Sequence, residues 1–316
     1  MNMTKTMTMR DAFIGTVCDR MATDESIFFL AADLGAPALD RIREQYPDRF
    51  INVGIAEQNL INVASGLGLE GYTVYTYAIA PFITMRAYEQ VRVNLAVSSQ
   101  IRPVNVTMLG LGGGVSYQVS GPTHHCLEDL AILRLLPNIS VYCPSDWVTA
   151  AALVDQTRTT VGPKYIRFDG KALPGLREEI SATDMSRGFS ELATGNNVCL
   201  ISTGYMTHRA VAVATELGDV GVIDMFKLKY FDSSSLMSIL SRYKHLVTIE
   251  EGFIGGGGLD AAISTLLTDS RSDLTLDRLG FNDSYVFELG TRDQLHGLSN
   301  MDNKAIATLV HRLENA

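Results

Sequence analysis

Along the chain, apolar residues switch repeatedly between helical spacing and short continuous runs. Arg10–Met21 places Ala12, Phe13, Val17 and Met21 on one side and predicts a helix. Ile27–Ala32 is an apolar run that predicts a strand, ending at the turn Asp33-Leu34-Gly35-Ala36-Pro37. A short helix over Ala38–Tyr46 and a strand over Phe50–Val53 follow. Beyond Gly54, Leu60, Val63, Ala64 and Leu67 fall at i, i+3, i+4 and i+7, which predicts one buried helical face. Glu57 precedes that set at the same spacing, so its carboxylate points along the apolar stripe. Tyr72–Tyr77 predicts a strand, Phe82–Val97 a helix, and Pro103–Leu109 a strand running into Gly110-Leu111-Gly112-Gly113-Gly114. Pro122–Leu136 reads as a helix with proline at its start. Ser140–Cys143 is a strand, Ser145 or Asp146 caps a helix running to about Asp155, and Lys164–Phe168 is a further strand.

The polar stretch Lys171–Gly188 has no sustained period and reads as a linker. The alternation then restarts with strands Val198–Thr203, Val220–Asp224, Leu246–Glu250 and Leu274–Leu279. Helices His208–Leu217, Ser234–Arg242, Leu259–Leu267 and Asn303–Leu313 lie among and after them. Such alternation predicts two α/β domains, each a parallel sheet between helical layers. The expected boundaries are a first domain over 1–172, a linker over 173–189 and a second domain over 190–316. In such sheets ligands collect at the C-terminal ends of strands, which draws attention to Asp33.

Composition narrows the class. Apolar residues at 46% supply ample core, and a net charge of −9 argues against a general nucleic-acid binder. Cys18, Cys126, Cys143 and Cys199 are widely spaced and form no CxxC pair, so neither a disulfide frame nor a zinc site is expected. No apolar run approaches membrane-spanning length, and MNMTKTMTMR lacks the apolar core of a secretory signal. A soluble cytoplasmic protein with a frayed start is the expectation.

Several residues are candidates for chemistry. An acid on an apolar stripe is either a first-turn residue complementing the helix dipole or a working carboxyl group, and Glu57 fits both. The Gly110–Gly114 run is either a flexible turn or a place where backbone approaches a ligand. Its spacing does not match GxGxxG, and GxxxxGK[ST], HExxH and GxSxG are absent. His124 and His125, before the expected helix, suit polar substrate oxygens or a structural role, and adjacent side chains diverge too far for a metal pair. Arg167, near the end of an apolar strand, is either an internal ion pair or an anion clamp, and Arg10 is an anion ligand or a solvated charge.

Taken in order, these stretches resemble one family. Gly54-Ile55-Ala56-Glu57-Gln58-Asn59, Arg86-Ala87-Tyr88-Glu89-Gln90-Val91-Arg92 and Gly121-Pro122-Thr123-His124 look like the pyrimidine domain of transketolases. Leu136-Pro137-Asn138, Pro144-Ser145-Asp146 and Tyr165-Ile166-Arg167 continue the match. Val198–Gly204, Asp224–Lys227 and Ile249-Glu250-Glu251 resemble the family's C-terminal domain. The resemblance implies thiamine diphosphate as cofactor, with Glu57 bonded to N1′ of its aminopyrimidine and His124 at substrate oxygens, both catalytic. A neutral Glu57 would relay a proton to the ring, so that the 4′-nitrogen activates the thiazolium carbon. Asp33 and Arg86 would lie at the cofactor. Ser120, Arg10 and Arg167 would meet substrate, the two arginines at an acceptor phosphate. The aromatic that stacks on the pyrimidine falls at Ile83 by ungapped alignment, with Phe82 adjacent and Tyr77 near, so its identity stays open.

Complete single-chain transketolases carry a preceding domain that binds the diphosphate through Mg²⁺ with a GDG…N motif, and no GDG occurs here. The resemblance therefore implies the small subunit of a split transketolase, with no metal ligands of its own. A large partner subunit would hold Mg²⁺ and the diphosphate, and an α2β2 heterotetramer is expected. Ser120, Gly112 and Gly35-Ala36-Pro37 depart from the family's usual aspartate, histidine and serine, which points to a less usual ketose or aldose. The alternatives are the β-subunit of a 2-oxoacid dehydrogenase, a deoxyxylulose-phosphate synthase-like part, and a non-catalytic scaffold chain.

Overall fold

The computed structural model describes residues 5–315. In chain order the strands of the first half are β1 (Thr6–Thr8), β2 (Ile27–Ala31), β3 (Phe50–Asn52), β4 (Thr73–Ile79), β5 (Val106–Leu111), β6 (Ser140–Tyr142), β7 (Lys164–Phe168) and β8 (Ala172–Pro174). Six of them form an all-parallel sheet in the order β3-β2-β4-β5-β7-β6. In the second half, β9 (Ser190–Ala193), β10 (Val198–Ser202), β11 (Val220–Asp224), β12 (His245–Phe253) and β13 (Thr275–Phe281) form a sheet in the order β13-β12-β10-β11-β9. Only β9 in that sheet runs antiparallel. Two parallel-sheet α/β units are thus present, as the alternation predicts.

Helices cover both faces because the strands are apolar on both sides. Every residue of β5 and β7 is buried. Met9–Met21 and Trp147–Thr159 pack on one face of the first sheet with Phe13, Val17, Leu153 and Val154. Glu57–Leu69 packs on the other, and its apolar cluster continues through Phe189, Ile201 and Ile223 into the second sheet.

Several expectations need correction. The buried face of Glu57–Leu69 is Glu57, Leu60, Ile61, Ala64, Ser65 and Gly68, with Val63 and Leu67 only partly covered. Glycine at 68 lets the helix approach β5, where an added Cβ would sit 3.1 Å from Val104 and Val106. The helix expected over Phe82–Val97 is interrupted by a turn at Ala87 and contains wide π-turns at Phe82–Arg86 and Val91–Val97, a feature that recurs at functional sites. The helix expected from Pro122 begins only at Asp129. Cys126 instead pairs with Gly114 through reciprocal backbone hydrogen bonds of 2.8 Å, which hold 121–128 as a turn. Thr6–Thr8 is no frayed end: it pairs antiparallel with β8, while residues 1–4 lie outside the described region. The stretch expected as linker holds part of β8 and the helix Ala182–Arg187. Arg292–Leu298 is a further helix that the periodicity misses, although Thr291 and Gln294 form a capping box legible as T-x-x-Q.

Candidate active site

The order of the first sheet creates a switch point. The chain leaves β2 toward β3 on one side, whereas β4 leads to β5 on the other, so their C-terminal ends open a crevice. Asp33 follows β2, Glu57 follows β3, and Phe82 follows β4. The backbone at Asp33 is left-handed (φ 52°), and Asn52 holds it there. Asn52 Oδ1 accepts from the amide of Asp33 at 3.1 Å and from that of Gly54 at 3.0 Å, while Asn52 Nδ2 donates to Asp33 Oδ1 at 2.9 Å. This links the ends of two strands to the turn that delivers Glu57.

Glu57 is 3% exposed at the start of its helix. Arg86 Nη1 donates to its Oε2 at 2.7 Å, so this buried acid is paired. Among the described residues Arg86 is the one hydrogen-bond partner of this carboxylate, and the other oxygen is not fully sealed from solvent. The Arg86 guanidinium lies 4.4 Å from the centre of the Phe82 ring, and that ring meets the His124 imidazole edge-on at 5.5 Å. Acid, base, aromatic ring and His124 thus form a contiguous chain. Ile83 does not share it, being fully buried in the core; Tyr77 is likewise buried in the opposite core. Phe82 is the aromatic at the crevice.

Beside these residues a cavity of about 550 Å³ is lined by Phe82, Met85, Arg86, Pro122, His125 and Glu128 among others. His125, rather than His124, is the buried histidine. Among the described residues neither ring nitrogen makes a well-formed hydrogen bond, and burial lowers its pKa from the ordinary 6.5 against a weaker pull from the Gln118 backbone, so it is neutral at pH 7. His124 is half-buried, with Nδ1 3.0 Å from the Thr123 hydroxyl. Ser120 is exposed on the same turn.

Arg167 is not an anion clamp. Its Nε and Nη2 contact Asp129 at 3.0 and 2.5 Å, Nη1 donates to the Glu251 carbonyl at 3.0 Å, and Nη2 also reaches the Cys126 carbonyl. Burial opposes the charge on Arg167, but Asp129 overrides it and raises the pKa. Such a buried, multiply bonded pair is structural, because a phosphate would have to displace a carboxylate in place. Arg10 is likewise engaged, by Asp11 at 2.9 Å through both Nε and Nη2. No cluster of three or more His, Cys, Asp or Glu suited to a metal exists among the described residues, and none of their helices is long and apolar enough to cross a membrane.

The Gly112–Gly114 loop makes a close approach, but to protein. A Cβ on Gly113 would stand 2.3 Å from Arg167, and one on Gly114, where φ is 62°, 1.8 Å from the Glu251 carboxylate. Glu251 is held by Arg292 (2.7 and 2.5 Å) and His296 (2.6 Å), and Arg292 reaches back to Asp169 of the first unit at 2.6 Å. This buried network fixes the second unit against the loop. Sequence reasoning also misses Met85, Glu128, Tyr285 and Phe287 in the cavity wall. The alternation Tyr285-Val286-Phe287 is the available signal for the last two.

Comparisons with known proteins agree with this arrangement. Residues 5–174 match the family described as transketolase, pyrimidine binding domain, and residues 189–306 match transketolase, C-terminal domain. The chain is 30% identical to an apulose-4-phosphate transketolase subunit of Actinobacillus succinogenes, covering 84% of this chain and 85% of that protein. It is 30% identical to 6-deoxy-6-sulfo-D-fructose transketolase subunit SqwH of a Clostridium species, covering 96% and 94%. Among solved structures it resembles a split gene transketolase in an inactive beta4 tetramer, with a TM-score of 0.84 at 26% identity, over 98% of each chain.

Proposed function

The chain belongs to the transketolase family, and from that premise we propose that it is the small subunit of a two-chain, thiamine-diphosphate-dependent enzyme that moves a two-carbon ketol unit from a ketose to an aldose. The subunit reading is supported by two relatives that are named as transketolase subunits and are matched along most of their own length. The observation that carries the chemical reading is Glu57: buried, with one oxygen held by Arg86 and the other free, beside an aromatic ring at the switch-point crevice.

That donor set fits an aminopyrimidine. A free carboxylate oxygen suits a ring nitrogen that carries a proton, and the Phe82 face suits a flat heteroaromatic ring. When bound, thiamine diphosphate supplies the nucleophilic carbon and electron sink for breaking a C–C bond. In this chain Glu57 holds the proton on the pyrimidine N1′. Arg86 fixes the carboxylate, and Phe82 orients the ring. Asp33, stapled by Asn52, lies at the neighbouring strand end and helps position the cofactor. His124, in contact with Phe82, meets the substrate's oxygens. The neutral His125 accepts or donates one hydrogen bond in the cavity without adding charge. The diphosphate and Mg²⁺ are assigned to the partner subunit, in an α2β2 assembly.

The test is reconstitution. The chain is purified with a partner carrying a GDG…N diphosphate site, then assayed with thiamine diphosphate, Mg²⁺ and panels of ketoses and aldoses. Two-carbon transfer by the pair and none by the chain alone is expected. Transfer by the chain alone, or consumption of pyruvate in place of ketose, overturns the reading.

A further inference from the structure

The second unit carries none of the groups just assigned, yet it supplies part of the cavity wall. After β13, residues 282–290 contain no helix or strand and cross toward the first unit. Their side chains alternate. Val286 is buried in the core of the second unit, whereas Tyr285 and Phe287 are 58% and 74% exposed. Phe253 braces Tyr285 edge-on at 5.9 Å. Farther along, the Leu289 side chain lies 3.9 Å from where a Cβ on Gly121 would stand. The segment is anchored in the second unit through Val286 and passes beside Gly121 of the first, and its two rings line the same cavity as Phe82 and Met85. Aromatic side chains held at a cavity with most of their surface in water are a binding feature, since folding gains little from them.

The charges around this cavity disfavour an anion. Among the described residues Arg86 is the one arginine or lysine in its wall, and it is committed to Glu57. Arg10 and Arg167, the other expected anion ligands, are committed to Asp11 and Asp129. Glu128 shares the wall. A phosphate dianion here would meet a carboxylate and no uncommitted cation from the described residues of this chain.

We propose that Tyr285 and Phe287 form the specificity wall for the substrate's tail, the part remote from the reacting carbonyl, and that this wall takes an uncharged tail in preference to a phosphorylated one. The proposal rests on the transferase reading above and adds the substrate class. The flat rings suit the C–H faces of an unphosphorylated sugar chain.

The test uses the reconstituted pair with D-ribose, D-ribose 5-phosphate and glycolaldehyde, which has no tail. Wild type should show higher kcat/KM for D-ribose than for its 5-phosphate. In Tyr285→Ala/Phe287→Ala the ratio of kcat/KM for D-ribose over glycolaldehyde should fall at least roughly tenfold, and Tyr285→Phe/Phe287→Leu should retain most of it. Saturation-transfer NMR on the same pair should show a D-ribose signal for wild type that disappears in the double alanine variant. A preference for the phosphate, or equal losses for D-ribose and glycolaldehyde, overturns the proposal. So does failure of the variant to sediment with its partner, which would make the two rings part of the interface between subunits. If the pair transfers no two-carbon unit, the transferase reading fails, while the NMR comparison still decides the wall.

Discussion

Replacing Arg292 by methionine should destabilise the protein more than any surface change and should flatten part of its pH dependence. Arg292 is 8% exposed and joins the two units through Glu251 and Asp169, with its guanidinium carbon 3.6 Å from the centre of the Tyr205 ring. Methionine keeps the apolar stem but strands two carboxylates in the interior. Removing one partner of a buried pair costs about 3–5 kcal/mol. At roughly 2 °C per kcal/mol for a chain of this size, Tm should drop by about 6–10 °C in calorimetry at pH 7. The pH dependence gives the sharper test. In the wild type burial works to raise the Glu251 pKa, but Arg292 overrides it and holds the pKa below the ordinary 4.5. That contribution is complete above pH 4.5 and is lost only as the pH falls through the lower folded value. Without Arg292 His296 remains to oppose burial, so the Glu251 pKa rises from its wild-type value and the variant loses less stability on acidification than the wild type. Adding Glu251→Gln should then recover part of the loss. A Tm drop under about 2 °C, or parallel pH profiles for variant and wild type, would refute the ion-pair argument.

Other consequences follow from the same structure. Gly114→Ala combines a positive φ with a Cβ in the Glu251 carboxylate, so thermal melts should show a loss of at least about 3 kcal/mol. Asp146→Ala removes the cap that accepts from Thr149 N at 2.8 Å and from Leu176 N at 2.8 Å, and should cost about 1–2 kcal/mol in urea denaturation. Burial lowers the Lys164 pKa to about 7 from 10.5, so the unfolded chain binds the extra proton between those values. Wild-type stability should therefore rise with pH in that window, by at most about 1.4 kcal/mol per unit, and Lys164→Met should abolish the rise.

Much of the fold is legible because buried strands and amphipathic helices leave periodic traces. The expected limits of Lys164–Phe168 and Val220–Asp224 are the observed ones. What fails depends on partners distant in sequence. Pro122 resembles a helix start, but the bridge between Cys126 and Gly114 holds the segment as a turn until Asp129. Glu57 stands out by its place on an apolar stripe, whereas its partner Arg86 enters only through the family resemblance. Local reasoning leaves Arg167 between ion pair and clamp, since the choice depends on Asp129, far from it in sequence. The motif contains His124 and points to it, yet burial singles out its neighbour His125. The aromatic wall at 285–287 escapes notice because its alternation is only three residues long and lies in an irregular segment.

The central claim is that Glu57 serves the cofactor rather than the fold, and one measurement addresses it directly. Two-carbon transfer by the reconstituted pair is compared between wild type and Glu57→Gln, with thiamine diphosphate binding followed calorimetrically on both. Arg86 is half exposed, so losing its ion pair should cost at most about 1 kcal/mol of stability, and the variant should assemble. The account predicts an assembled, cofactor-retaining pair with transfer reduced at least roughly a hundredfold. Undiminished transfer in Glu57→Gln would contradict it.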